Sequence, residues 1–107
     1  MTTIHQGRFE SAIKELSALF IEKNTEGALA SVSSVDTISN PNKITVFITV
    51  LPEEKEEDIM KQLQEKTWTL RKFLGEQIKT RRVAEVEIAL DPGRKTRLLI
   101  DQLSYND

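Results

Sequence analysis

The sequence predicts an α+β fold in which a three-stranded sheet carries helices packed on one face. Two observations lead to this prediction. Apolar residues recur at helical spacing in two separate stretches, while three other stretches alternate or are rich in β-branched residues. The predicted order is helix, strand, strand, helix, strand, and "RKTRLLIDQL" is a candidate short final helix. Residues 1–107 are enough for a single domain with one core.

The first helix is predicted from about Gln6 to Lys23, because its apolar residues repeat at the spacing of one helical face. These residues are Phe9, Ile13, Leu16, Leu19 and Phe20. Asn24 and Gly27 follow as stop signals. The pattern therefore predicts an amphipathic helix with one buried stripe.

A hairpin is predicted next. From Leu29 to Ile38 the larger apolar residues are three apart, which breaks strict alternation, and a bulge near Ser33 and Ser34 would restore their inward direction. "SNPNK" is typical of a turn. "ITVFITVL", residues 44–51, then alternates as a second strand, which we expect to run antiparallel to the first.

Helical character is predicted from about Glu53 to Lys79. Pro52 and the acidic run "EEKEED" suit its first turn, and we interpret that run as a solvated helix start. One apolar stripe continues through it: Ile59, Leu63, Leu70, Leu74 and Ile78. "AEVEIALD" then alternates again, which predicts a third strand near residues 84–90.

The composition argues against several classes of function. There is no cysteine, which excludes disulfides, thiolate metal sites and a cysteine nucleophile. His5 is the single histidine, so a serine or threonine nucleophile has no plausible histidine base, and we expect no catalytic residue. We also expect no metal site, no cofactor and no small-molecule substrate. "GRKT" lacks the glycine and the residue order of a nucleotide-binding loop. Neither a signal peptide nor an apolar run of bilayer length is seen, so we expect no membrane association and a cytoplasmic location.

The two signs of charge separate along the chain although the total is only −2. Residues 1–65 hold 6 basic and 11 acidic side chains, a net charge of −5. Residues 66–97 hold 9 basic and 4 acidic side chains, a net charge of +5. A basic segment of this size in an acidic protein favours a negatively charged partner.

The order of elements and the stretch "LRKFLGEQIKTRRVAEVEIALD" resemble the ribosome-binding factor A family, which has a variant of the type II KH fold. Arg71, Lys79, Arg81, Glu85 and Asp91 fall on polar positions of the family pattern. "VSSVDTISNPNKITVFITVL" fits its first two strands, so the resemblance runs from Val32 to about Leu103. It implies a non-catalytic assembly factor, a monomer, that binds the small ribosomal subunit and assists maturation of its ribosomal RNA.

The chain departs from the family pattern where the helical region usually bends. The family's alanine, any residue, glycine triplet is here Lys66, Thr67 and Trp68. No glycine pair has GxxG spacing, so a glycine clamp on a nucleic-acid backbone is not expected. The proline usual before the third-strand glutamate is Ala84.

A helical wheel places Trp68 about 180° from the apolar stripe, on an outer face shared with Gly75 and several cations. Such a face can neutralise phosphates and stack an unpaired base. The candidate RNA-binding residues are Lys61, Trp68, Arg71, Lys72, Lys79, Arg81, Arg82, Arg94, Lys95 and Arg97.

Two alternatives stay open at this stage for the residues themselves. A kink near Thr67 would turn Trp68 into the core, because tryptophans are highly buried on average. Arg81 and Arg82 could stabilise a helix C-terminus without contacting phosphate. For the whole chain, the alternative function is a divergent KH-like protein-interaction module that does not bind RNA and presents its sheet edge or its acidic first half to a protein.

Overall fold

A three-stranded sheet lies at the centre of the computed structural model, which describes residues 2–78, 83 and 85–93. The strands are β1 (Leu29–Asp36), β2 (Ile44–Leu51) and β3 (Val86–Leu90), in the spatial order β1-β2-β3. The helices are α1 (Thr2–Asn24), α2 (Glu56–Gln64) and α3 (Thr67–Gln77), with a 3₁₀ turn over Glu53–Lys55. The predicted α+β class and three-stranded sheet are confirmed. The candidate final helix, which begins at Arg94, lies outside the described residues.

The hairpin forms as its alternation predicted. β1 and β2 are antiparallel from Leu29 opposite Leu51 to Asp36 opposite Thr45, and the register shifts between Val32 and Ser34. The bulge is therefore where the spacing of apolar residues placed it, because one extra residue returns the following side chains to the inner face. The Ser33 hydroxyl donates a hydrogen bond to the Phe47 carbonyl, 3.2 Å away, across this bulge.

β1 ends at Asp36 and not at Ile38 as predicted. The Asp36 carboxylate accepts hydrogen bonds from the backbone N–H groups of Ile38 and Ser39, both at 3.0 Å. This local turn replaces the strand ladder, as aspartate side chains commonly do. Ile38 is consequently exposed on the surface.

β3 runs parallel to β2, from Val86 beside Ile44 to Leu90 beside Ile48. A parallel neighbour requires a crossover, and the helical region between the two strands provides it. The inward side chains of β2 are all buried, whereas those on its other face are partly or well exposed. This alternation shows that the helices cover one face of the sheet, as predicted.

The core is formed by apolar side chains of the sheet and of all three helices. Its most completely buried members are Ile13, Ile21, Val46, Ile48, Ile59, Leu63, Leu70, Leu74 and Ile88. Phe20 of α1 and Phe73 of α3 lie with their ring centroids 5.9 Å apart, which packs these two helices together. Leu19, predicted to be buried, is exposed because the inward face of α1 runs through Ser17, Phe20 and Ile21.

The helical region predicted from about Glu53 to Lys79 is divided in two: the chain breaks at Glu65 and Lys66 into α2 and α3. The backbone N–H of Lys66 donates to the Leu63 carbonyl at 2.9 Å, a bond to the third residue back that tightens the end of α2. Lys66 also leaves the helical region, with φ −113° and ψ 8°. The observed order is therefore α-β-β-α-α-β.

Candidate nucleic-acid interface

The break at Lys66 is stabilised by contacts that no glycine supplies. The Lys66 ammonium donates a hydrogen bond to the Asn24 carbonyl, 2.9 Å away, at the C-terminal end of α1. A cation at this end of a helix also meets the negative end of its dipole. The Thr67 hydroxyl donates to the Gln64 carbonyl at 3.0 Å and so binds the last turn of α2. The side chain of Lys66 is thereby directed at α1 and orients α3 from its first residue.

α3 buries one face and exposes the other. Leu70 and Leu74 are fully buried, whereas Trp68 has 65% of its surface exposed. The interpretation that a kink near Thr67 turns Trp68 into the core is therefore wrong. A kink does form just before Thr67, but the indole still faces solvent. Trp68, Arg71, Lys72 and Gly75 stand at i, i+3, i+4 and i+7 and share the outer face, as the helical wheel predicted.

Trp68 and Lys72 form a cation–π pair. The Lys72 ammonium lies 5.7 Å from the centroid of the indole ring, within the range of a favourable contact. The pair is one helical turn apart, a separation at which side chains meet. It holds a positive charge beside an aromatic surface that remains open to solvent.

A shallow groove of about 290 Å³ runs along this face of α3. Its lining residues are Trp68, Arg71, Lys72, Gly75 and Val83. Val83 is buried, and it closes the groove from the segment that leads into β3. No carboxylate is among the described residues that line it. The groove thus combines an aromatic surface with two cations, a combination suited to phosphates and bases.

Gly75 lines the groove without projecting a side chain into it. A β-carbon at this position would meet no atom within 4 Å, and the residue lies inside α3 with no need of a positive φ. Glycine inside a helix costs about 0.5–1 kcal/mol relative to alanine. Neither packing nor backbone conformation therefore requires glycine here, and its lack of a side chain leaves the groove clear about two helical turns beyond Trp68.

The remaining predicted site residues divide into two groups. Lys61 is exposed on α2, ahead of the break, and does not line the groove. The others, which are Lys79, Arg81, Arg82, Arg94, Lys95 and Arg97, lie outside the described residues. Sequence reasoning missed Val83 as a lining residue and Lys66 as the anchor of α3. Val83 precedes the alternating segment "AEVEIALD", so the alternation gave no signal for it. Lys66 offered no signal either, because its partner Asn24 is distant in sequence.

A second, smaller groove of about 170 Å³ lies at the C-terminal ends of β2 and β3 and has acidic residues among its lining, Glu53, Glu56 and Asp91. Within the described ranges, no group of histidine and acidic side chains could hold a metal ion. None of the helices in the described part of the chain has the length and apolar character needed to cross a membrane. Carboxylates also occupy the first turn of α2, as the acidic run predicted.

Hydrogen bonds shift two pKa values at the far ends of the hairpin turn. The pKa of Asp36 is lowered by hydrogen bonds from the Ser39 side chain and from the backbone N–H groups of Ser39 and Ile38. The pKa of Lys43 is raised by its hydrogen bond and ion pair with Glu87 of β3. Neither group lines the groove on α3, so these shifts act on the turn and the sheet edge.

Comparisons with known proteins agree on one family. A sequence model of the family described as ribosome-binding factor A matches residues 5–104. The crystal structure of ribosome-binding factor A from Thermus thermophilus superimposes with a TM-score of 0.67 at 20% identity, covering 78% of this chain and 92% of that one. The solution NMR structure of a Thermotoga maritima protein described as a candidate ribosome-binding factor A gives 0.60 at 20% identity, covering 77% and 82%. No curated protein matches the chain in direct sequence comparison.

Proposed function

The chain belongs to the ribosome-binding factor A family, and from that premise we propose that it is a non-catalytic assembly factor that binds the small ribosomal subunit in the cytoplasm and assists maturation of its ribosomal RNA. Membership in a family of ribosome-binding factors supports a ribosomal partner. The observation that carries the choice of RNA as the contacted component is the groove on α3, where Trp68, Arg71 and Lys72 stand together.

Electrostatics supports RNA over a neutral partner. The segment of residues 66–97 has a net charge of +5 in a chain whose total is −2. Cations that neutralise phosphates release condensed counterions, and this release gives affinity that falls with salt. Lys66 is set apart from this contact, because its ammonium already binds the end of α1.

The proposed contact surface extends from the groove along the chain in both directions. Its described members are Trp68, Arg71 and Lys72, with Lys61 on the preceding helix. The further proposed members are Lys79, Arg81, Arg82, Arg94, Lys95 and Arg97. Arginine suits this role because its guanidinium group can bind a phosphate with two hydrogen bonds.

The experiment is sedimentation with small ribosomal subunits over a range of salt concentrations. We expect affinity to fall steeply with salt, and the Arg81→Ala, Arg82→Ala double variant to reduce the salt slope by about two. The matched control is the Lys14→Ala, Lys55→Ala double variant, which removes two exposed cations of the acidic half and should keep the slope. Equal binding by the arginine variant and the parent at every salt concentration would refute the phosphate contact.

The open face of the sheet supports a second candidate, a protein-interaction module. Leu29 and Leu51 stand directly opposite each other on β1 and β2 and are 63% and 49% exposed. An apolar pair at an edge strand is suited to a protein contact. Subunit binding that does not change with salt, and that is lost in a Leu29→Ser, Leu51→Ser variant, would favour this candidate over RNA contact.

A further inference from the structure

The exposed indole of Trp68 is the least explained apolar surface on the described part of α3. It contributes nothing to the core, since 65% of its surface is exposed. The Lys72 ammonium contacts the ring at 5.7 Å but leaves most of the indole open. A large rigid aromatic surface beside a cation is the arrangement on which unpaired bases stack.

We propose that the groove on α3 binds a single unpaired nucleotide of RNA, with its base stacked on Trp68 and its flanking phosphates on Arg71 and Lys72. This inference rests on the proposed function and deepens it, because it states that the contacted RNA is single-stranded at this point. Contact with phosphates alone, as on a duplex, would use the two cations and leave the indole without a role.

The shape of the groove fits this ligand better than a small molecule. At about 290 Å³ it lies at the lower limit of volumes that hold small ligands and is open to solvent. A nucleotide that belongs to a longer strand needs no enclosure, because neighbouring phosphates keep it in place. The side chains offer a stacking surface and charge but few hydrogen-bond acceptors, so we expect little discrimination between bases beyond stronger stacking of purines.

Gly75 leaves the groove unobstructed beyond Lys72, where the strand flanking a stacked base would continue. It lies one helical turn beyond Lys72 on the same face, and a β-carbon there would meet nothing within 4 Å. A longer side chain at this position would enter the groove without disturbing the core. Gly75→Gln is therefore a blocking variant that leaves Trp68, Arg71 and Lys72 in place.

Trp68 is the single tryptophan of the chain, so its fluorescence reports directly on the groove. We would titrate the protein with short single-stranded oligoadenylate and oligouridylate, and with an RNA duplex that has the same number of phosphates. The expected result is saturable quenching by the single strands, stronger for oligoadenylate, and little quenching by the duplex. Equal quenching by single strand and duplex, or none by either, would overturn the inference.

Two variants test the stacking itself, with affinity for labelled oligoadenylate as the measured quantity. Trp68→Leu should weaken binding roughly 5- to 150-fold, which corresponds to the usual contribution of one stacked base. Gly75→Gln should weaken binding and reduce quenching although the indole is intact. Lys14→Gln, an exposed cation on α1, is the control and should bind as the parent does. Parental affinity in both groove variants would overturn the inference.

Subunit sedimentation separates a failure of this inference from a failure of the proposed function. If the parent sediments with small subunits in a salt-dependent way but single strands do not quench Trp68, the stacking site is refuted and the function stands. If the parent does not sediment with subunits at any salt concentration, the proposed function is refuted. Stronger quenching by an acidic peptide such as oligoglutamate than by oligoadenylate would assign the groove to a protein ligand and refute the nucleotide.

Discussion

Two glycines in equally open surroundings should respond in opposite directions to the same substitution. A β-carbon at Gly75 or at Gly27 would meet no atom within 4 Å, so packing does not distinguish the two sites. Their backbones differ: Gly75 lies inside α3, whereas Gly27 follows α1 with φ +92°, a conformation that other residues rarely adopt. Gly75→Ala should therefore stabilise the protein, and Gly27→Ala should destabilise it.

The expected magnitudes follow from these two backbone conformations. Alanine is better than glycine inside a helix by about 0.5–1 kcal/mol, so Gly75→Ala should raise the free energy of unfolding by that amount and the melting temperature by a few degrees. A β-carbon in the left-handed region costs roughly 1–2 kcal/mol, so Gly27→Ala should lower the free energy of unfolding by that amount. Urea denaturation of both variants and the parent measures the difference, about 2 kcal/mol.

The refuting result is also specific. If Gly75→Ala lowers the free energy of unfolding, the space around Gly75 is not open, and packing is the reason for a glycine at this position. If Gly27→Ala is neutral, the turn after α1 does not hold a positive φ. Unchanged slopes of the denaturation curves would show that the surface exposed on unfolding is the same in all three proteins, so that a shifted midpoint reports a change in stability.

Three further predictions concern single contacts. Lys66→Met keeps the aliphatic stem but removes the ammonium that binds the Asn24 carbonyl at 2.9 Å. A thermal melt should show that the free energy of unfolding falls by about 1 kcal/mol, and Lys66→Arg should lose less. Ser17 is buried in α1, and its hydroxyl has no hydrogen-bond partner among the described residues. Ser17→Ala should therefore raise the free energy of unfolding, measured by urea denaturation, by about 1 kcal/mol. A lower free energy of unfolding would contradict the unsatisfied hydroxyl. Asp36→Asn should be less stable than the parent near neutral pH, because a carboxyl whose pKa is lowered on folding stabilises the fold fully above the pKa that it has in the unfolded chain. Melts at decreasing pH should show the difference shrinking below about pH 4 and vanishing once the pH falls below the lowered pKa; a difference that is constant with pH would contradict the turn.

The break between α2 and α3 forms with no glycine at the residues that join the two helices. Lys66, Thr67 and Trp68 stand where the resemblance led us to expect an alanine, any residue, glycine triplet, and the chain nevertheless bends here. A lysine that reaches the end of α1 and a threonine that binds the last turn of α2 replace the flexibility of glycine. The third position is thereby released for a large side chain, and Trp68 occupies it on the surface.

Local patterns in the sequence were sufficient for the hairpin and for the outer face of α3. The alternation of residues 44–51 and the spacing of three in β1 predicted both strands and the bulge at Ser33, because side chains in a strand point alternately to two faces. The wheel likewise placed Trp68, Arg71 and Lys72 on one face, since a helix of 3.6 residues per turn fixes their relative directions. These features depend on neighbours a few residues apart.

The tertiary structure decided what depends on residues far apart in the chain. The break between α2 and α3 is held by Lys66 and Asn24, which are 42 positions apart, so no local periodicity could reveal it. Val83, which is distant in sequence from Trp68, lines the same groove. Trp68 is exposed because Leu70 and Leu74 take the inward face of the short α3. Sequence periodicity fixes the directions of side chains within one element, but burial depends on which other element packs against it, and only the folded chain brings those elements together.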